Sequence, residues 1–109
     1  MLIQYMGFEF KKDKYKRARG TYSRLLDLSC RICGRHILIY QKDGPGNLRR
    51  LYLDRIFHPK NLVNLQDKPL NLIPILNCPK CKETLGTPYI YKKENRKAFK
   101  LYQEALIKK

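Results

Sequence analysis

The chain has 109 residues, with 24 Lys and Arg against nine Asp and Glu, giving a formal net charge of +15. A chain of this length builds one domain with a modest core, and no apolar run approaches the ~18 residues of a membrane span, so a soluble single-domain protein is expected. Such an excess of cations repels itself in the folded state unless an anionic partner offsets it. The commonest partner of that kind is a nucleic-acid backbone, with an anionic membrane surface as the lesser option.

In chain order, Met1 to Phe10 carries Leu2, Ile3, Tyr5, Met6, Phe8 and Phe10, a mixed pattern that suits a short strand or an apolar anchor. The next segment sets Lys11, Lys12, Lys14, Lys16, Arg17 and Arg19 around a single acid, Asp13. A block of like charge resists packing and is expected to follow phosphates, with Tyr15 available to stack on a base or sugar; the plain alternative is a solvated tail. Gly20 reads as the entry to the folded domain. The expected organisation is a basic extension over 1–20, a domain over 21–93, and a closing helix over 94–109 packed on that domain.

Thr21 to Leu28 reads as a strand or a short helical turn leading to Cys30. His36-Ile37-Leu38-Ile39-Tyr40-Gln41 is β-branched and aromatic, and predicts a strand. In Asp43-Gly44-Pro45-Gly46-Asn47, Pro45 and Gly46 meet the demands of a type II turn, which predicts a hairpin with Leu48 to Phe57 as its return strand. Leu48, Tyr52 and Ile56 also fit helical spacing. Lys42, Arg49 and Arg50 flank this turn and are candidate phosphate contacts, although without a G-K-[ST] ending or a helix signal it is no P-loop. Asp54 and Arg55 read as a local ion pair or surface contacts.

His58 to Lys68 is a polar loop bounded by Pro69, and Pro74 makes Leu70 to Leu76 an edge strand or a bend into Cys78. Thr84 to Tyr91 holds a short strand ending in Tyr89-Ile90-Tyr91. From Glu94 to Ile107, Ala98, Leu101, Tyr102, Ala105 and Leu106 recur at three- and four-residue intervals and predict an amphipathic helix. Lys92, Lys93, Arg96, Lys97 and Lys100 would solvate its outer face, and Lys108 and Lys109 would suit the negative end of its dipole.

All four cysteines fall in two C-x-x-C pairs, Cys30-Arg31-Ile32-Cys33 and Cys78-Pro79-Lys80-Cys81, with 44 residues between them. Each pair in a tight turn aims two thiolates at one point, and two such turns complete a tetrahedral four-sulfur site. Gly34 permits a positive φ beneath the first pair, and Pro79 pre-sets φ in the second. The pairs resemble the zinc knuckles of the zinc-ribbon and rubredoxin-like class, over roughly residues 27 to 87. Their spacer is more than double the ~15–20 residues of compact sites of this kind. The resemblance implies a small antiparallel β core carrying the knuckles; with the closing helix this makes an α+β fold, and the spacing and softness of Cys30, Cys33, Cys78 and Cys81 favour one structural Zn2+. Iron in the same cage, as in a rubredoxin-like electron carrier, and redox or disulfide use are the competing readings. His36 and His58 could replace a ligand, but four thiolates already complete the shell, so both read as ordinary polar residues.

No signal-like segment opens the chain, which favours a cytoplasmic setting and metal binding over a disulfide scaffold. A four-cysteine shell leaves no position for a reactive water, and the chain carries no H-E-x-x-H, no deaminase-type H-x-E and no nucleophile elbow, so catalysis is not expected. The expectation is a zinc-stabilised protein that binds nucleic acid, RNA or a ribonucleoprotein such as the ribosome before DNA, as in many small basic four-cysteine proteins of that assembly. The rival is an adaptor that uses Tyr5, Phe8, Phe10 and the closing helix to bind an acidic protein surface.

Overall fold

In the computed structural model, residues 10–18 and 23–108 are described. Met1 to Glu9, Arg19 to Tyr22 and Lys109, together with the Lys16 and Ala18 side chains, lie outside them, so the N-terminal apolar pattern, the start of the segment read from Thr21 and two of the candidate phosphate contacts are not placed. After a five-residue helix, α1 (Lys14–Ala18), every extended element is an antiparallel β-strand. The strands are β1 (Ser23–Cys30), β2 (His36–Asp43), β3 (Arg50–Tyr52), β4 (Ile56–His58), β5 (Leu76–Asn77), β6 (Thr84–Tyr91), β7 (Arg96–Leu101) and β8 (Leu106–Lys108). They form two four-stranded sheets with orders β4-β2-β1-β8 and β3-β7-β6-β5. One-turn 3-10 helices at Leu53–Arg55, Lys60–Leu62, Leu65–Asp67 and Leu70–Leu72 occupy the connections.

One apolar cluster draws on both sheets. Leu26, Leu28, Leu38 and Tyr40 come from the first, Leu51, Leu76, Leu85 and Phe99 from the second, and Leu65 and Ile73 join them from the connecting turns. Along β1 the alternate residues Leu26, Leu28 and Cys30 are buried, as expected of a strand that turns one face inward. Cys30 and Cys78 belong to the same cluster, so the cysteines sit at the edge of the core.

Among the described residues the regular structure is antiparallel β apart from α1 and the one-turn 3-10 helices, which corrects the expected α+β class. The predicted C-terminal helix over Glu94 to Ile107 does not form. Lys92 to Asn95 is instead a tight turn with Asn95 at φ 50°, which joins β6 to β7 in a hairpin pairing Tyr91 with Arg96. Asparagine tolerates that left-handed conformation better than most residues, and a turn here halts any helix starting at Glu94. Beyond it, Ala98 and Phe99 are fully buried between strand neighbours β3 and β6. A second turn with Glu104 at φ 57° then leads into β8. The spacing read as one helical stripe is thus a strand, a turn and a second strand, and the dipole role given to Lys108 and Lys109 goes with it.

A second correction concerns the Gly44-Pro45-Gly46 turn. Both glycines adopt positive φ, as a turn there requires, but the segment does not close a hairpin with Leu48 to Phe57. β2 pairs with β1 and β4, whereas β3 pairs with β7, so the turn carries the chain from one sheet to the other. Leu48 to Phe57 is also not one strand but β3, a 3-10 turn and β4, and Leu70 to Leu76 opens in a 3-10 turn with only Leu76 in β5. β2 covers His36 to Gln41, β5 lies at a sheet edge before Cys78, and β6 covers Thr84 to Tyr91. Pro88 falls beyond the two-residue reach of β5, so its missing N–H costs no bond to that neighbour.

Candidate metal centre

The two cysteine pairs adopt the same local structure. In the first, the Cys30 amide donates to the Arg35 carbonyl at 2.8 Å, and the Gly34 amide donates to the Cys30 carbonyl at 2.9 Å. In the second, the Cys78 amide donates to Glu83 and the Lys82 amide to Cys78, both at 2.9 Å. The residue after the second cysteine takes a left-handed conformation in each, Gly34 at φ 79° and Lys82 at φ 67°. These bonds fold each C-x-x-C so that both sulfurs point the same way. The first knuckle closes the β1–β2 hairpin of one sheet, and the second joins β5 to β6 of the other.

Glycine suits this position and lysine does not, so Lys82→Gly is expected to raise stability by roughly 0.5–1 kcal/mol. The left-handed region costs an L-residue about 1–2 kcal/mol, part of which glycine returns through its freedom in the unfolded chain. Gly34→Ala should lower stability by a similar amount; the site has room for a methyl group, so the cost is conformational. Denaturant midpoints of the two variants should therefore move in opposite directions.

All four sulfurs lie within 4.8 Å of one another and could hold a metal ion. Cys30 and Cys81 Sγ are 3.7 Å apart, and Cys33 and Cys78 Sγ 3.5 Å, so the near contacts run between knuckles. Four sulfurs ~2.3 Å from one tetrahedral zinc stand about 3.8 Å apart, close to these separations, whereas a disulfide brings its sulfurs to ~2.05 Å. The cysteines are free thiols. Burial pushes the Cys78 thiol up, but the Cys81 and Lys80 amides and the neighbouring thiols outweigh it and bring it down to about 6. The Glu83 amide draws the Cys81 thiol down, but burial and the crowding by Cys78, Cys30 and Cys33 outweigh it and push that thiol up to about 12. The backbone amides thus favour one thiolate, at Cys78, and four thiols this close hold back further charge until a cation offsets it. Both Cys30 and Cys78 are fully buried, while Cys33 and Cys81 are half-exposed. The sulfur separations and the all-sulfur donor set fit a tetrahedral metal.

His36 and His58 stand outside this group. The His36 Nε2 is 3.0 Å from Asp27 Oδ1, and its ring centroid lies 5.7 Å from that of His58.

The basic residues singled out in the sequence have different surroundings. Lys12, Lys14, Arg17 and Arg49 are exposed. Lys42 is buried, and its ammonium donates to the Gly44 and Pro45 carbonyls at 3.1 and 3.2 Å, bracing the turn from inside. Arg50 is half-buried; its Nε donates to the Tyr89 hydroxyl at 2.9 Å and its guanidinium lies 4.0 Å from the Tyr91 ring centroid. Lys11 is half-exposed, and its backbone bonds twice to the Gln41 side chain, whose Oε1 accepts at 2.7 Å and whose Nε2 donates at 3.1 Å.

A polar network with no local mark in the sequence lies beneath this N-terminal segment. Arg55 is fully buried, not at the surface as its sequence neighbourhood suggests. Its Nε donates to Asp43 at 2.8 Å and a terminal nitrogen donates to Asp13 at 2.6 Å, while Asp54, the expected local partner, stands 3.8 Å away. Asp54 instead accepts from Arg96 at 2.7 Å, and that guanidinium is sandwiched between the rings of Tyr15 and Tyr52, at 4.0 and 3.7 Å. Asp13 also caps α1 through the Tyr15 amide. Arg55 with Asp43 and Asp13, and Arg96 with Asp54, are 12 to 42 residues apart, too far for a short window to join. The signal available in advance was weak: arginines lying close in sequence to tyrosines, in a chain otherwise rich in lysine.

Comparison of the chain with protein-family models, with curated proteins and with solved structures gave no match.

Proposed function

We propose that the protein is a structural-zinc protein that binds nucleic acid, RNA before DNA, through its cationic surface, and that it works within a ribonucleoprotein in a reducing cytoplasmic compartment without catalysing a reaction. The observation that carries this reading is where the acids are. Asp13, Asp27, Asp43, Asp54 and Glu94 are buried or half-buried against Arg55, Arg96 or His36. Asp67, Glu83 and Glu104 are the exposed acids among the described residues, against fourteen exposed lysines and arginines. The interior consumes negative charge, and the outside is left more basic than the composition alone conveys. A phosphate backbone is the commonest polyanion able to offset such a surface.

A tetrahedral four-thiolate shell suits zinc or iron, and zinc is favoured because such closed cysteine shells are the standard structural zinc site. A closed shell also argues against a reactive metal-bound water. RNA is favoured because α1, at five residues, is too short for a major-groove recognition helix. The adaptor reading has lost the C-terminal helix on which it partly relied.

The test is a titration with single-stranded RNA across a salt series. Binding should weaken steeply with salt. Exchanging Lys11, Lys12, Lys14, Lys16, Arg17 and Arg19 for glutamine should flatten the slope of log K against log salt by roughly 0.7 for each cation engaged. The melting temperature should barely move, because the segment is anchored by the Lys11 backbone, Asp13 and Tyr15, all retained. Failure of the parent to bind RNA at low salt would reject the reading.

A further inference from the structure

Beside the apolar core, β1, β8 and the residues after the Gly44-Pro45-Gly46 turn enclose a groove of about 880 Å3. Its lining includes Leu26, Leu48 and Leu101, together with the exposed cations Arg49 and Lys108. A second hollow of about 330 Å3 lies against the two knuckles and includes Arg31 and Lys82. The two share Tyr102, Gln103 and Glu104. Tyr102 therefore borders both, and it is 54% exposed.

That exposure is unusual in this molecule. Tyr15, Tyr40, Tyr52, Tyr89 and Tyr91 are buried or half-buried, and each has a hydrogen bond or cation–ring contact inside the fold. Tyr102 and Phe10 are the exposed large aromatic side chains among the described residues. An aromatic face bordered by an apolar floor, with cations on both sides, is the arrangement that takes a stacked base with its phosphates held at either end. Glu83 and Glu104 are the opposing charges; Glu104 lies 3.8 Å from Arg31 in an exposed, water-screened pair that a phosphate can replace. An apolar peptide would not need cations at both ends of the track.

We propose that the groove and the knuckle hollow form one track for single-stranded RNA, with a base stacked on Tyr102 and the flanking phosphates held by Arg49 and Lys108 on one side and Arg31 and Lys82 on the other. This rests on the nucleic-acid reading and gives it an address. It also gives the metal a positional role, because Arg31 and Lys82 belong to the knuckles that the metal would fix.

The test uses the full zinc-loaded chain and a fluorescently labelled ten-residue oligouridine. Tyr102→Ala should weaken binding about tenfold, and Tyr102→Phe should restore most of it, because stacking needs the ring and not the hydroxyl. The local fold is held at Tyr102 by its backbone, through its amide to Leu85 and its carbonyl to Ala105, so neither change removes those bonds. Arg49→Ala with Lys108→Ala should lower the salt slope by roughly 1.4, at about 0.7 per cation. Lys92→Ala with Lys93→Ala removes the same charge from the β6–β7 turn and should leave the slope nearly unchanged. If the parent binds but Tyr102→Ala binds equally well, or the two double variants lose slope equally, the track is overturned and the general nucleic-acid reading stands. A parent that does not bind the oligonucleotide overturns both.

Discussion

Serine in place of Cys33 or Cys81 is expected to abolish cooperative melting or to lower the melting temperature severely. The two knuckles belong to different sheets, and their closest sulfur contacts run from one knuckle to the other. A metal at their centre would tie the two sheets together at the edge of their shared core. Structural zinc contributes roughly 10–16 kcal/mol of binding free energy in small finger peptides, against a total stability of about 5–15 kcal/mol for a typical domain. Losing one of four ligands forfeits part of that, enough to threaten a chain of this size. Cys33 and Cys81 are the informative choices because they are only half-buried; Cys30 and Cys78 are packed in the core, where serine would also leave a buried hydroxyl. Excess chelator should bring the parent close to the variants. If variants, chelated parent and untreated parent melt alike, no metal is holding the sheets.

The second large effect is expected at Arg55. Arg55→Met should cost roughly 3–5 kcal/mol, because it strands the Asp43 carboxylate, buried among Ser23, Gln41 and the missing guanidinium, without its charge partner. Asp43→Asn should cost less than this, because Arg55 keeps its bond to Asp13 at 2.6 Å and the asparagine carbonyl can still accept from it. Asp13→Asn should cost less, since that carboxylate is 38% exposed and water can take over its role. The double variant should cost clearly less than the sum of Arg55→Met and Asp43→Asn, as expected when the two groups interact directly. Costs that add in urea titrations would show that the two residues do not act as a pair.

The pH dependence of that pair has a definite sign. Burial pushes the Asp43 carboxyl up, but hydrogen bonds from Ser23, Gln41 and Arg55, with the arginine charge, hold it below its ordinary value of 3.8. A depressed carboxyl contributes stability that is fully present above the unfolded value and is lost as pH falls through the folded one. The gap between the parent and Asp43→Asn should therefore be widest at neutral pH and begin to close below about pH 4. A gap that widens on acidification would contradict the assignment.

These two sites differ in how far the sequence disclosed them. The knuckles were legible because the chemistry is local: two cysteines at fixed spacing in a tight turn, twice, leave one economical way to combine four thiols. β2 and β6 were legible for a similar reason, since runs such as His36 to Gln41 are β-branched and aromatic over a whole strand length. Pairing was not legible. The Gly44-Pro45-Gly46 turn was recognisable as a turn, but nothing in it says that β3 will skip β2 and pair with β7, where Leu51 lies opposite Phe99. The misread helix shows the same limit from another side. Ala98 and Leu101 lie in β7 and Tyr102 and Ala105 in the turn around Glu104 that leads to β8, so their 3.6-residue period is a coincidence of spacing. Arg55 was the least visible, because its partners Asp13 and Asp43 reach it from distant parts of the chain, and the adjacent Asp54 drew attention away from them.

Elemental analysis of the protein, purified without added metal, tests the central claim most directly. The four sulfurs, gathered within 4.8 Å of one another, form one site, so the account predicts one zinc per chain, released by chelator together with the loss of cooperative melting. A stoichiometric iron signal with the red colour of a thiolate cage would replace zinc with the rubredoxin-like alternative. A folded chain with no metal, its cysteines joined as disulfides, would contradict the account outright.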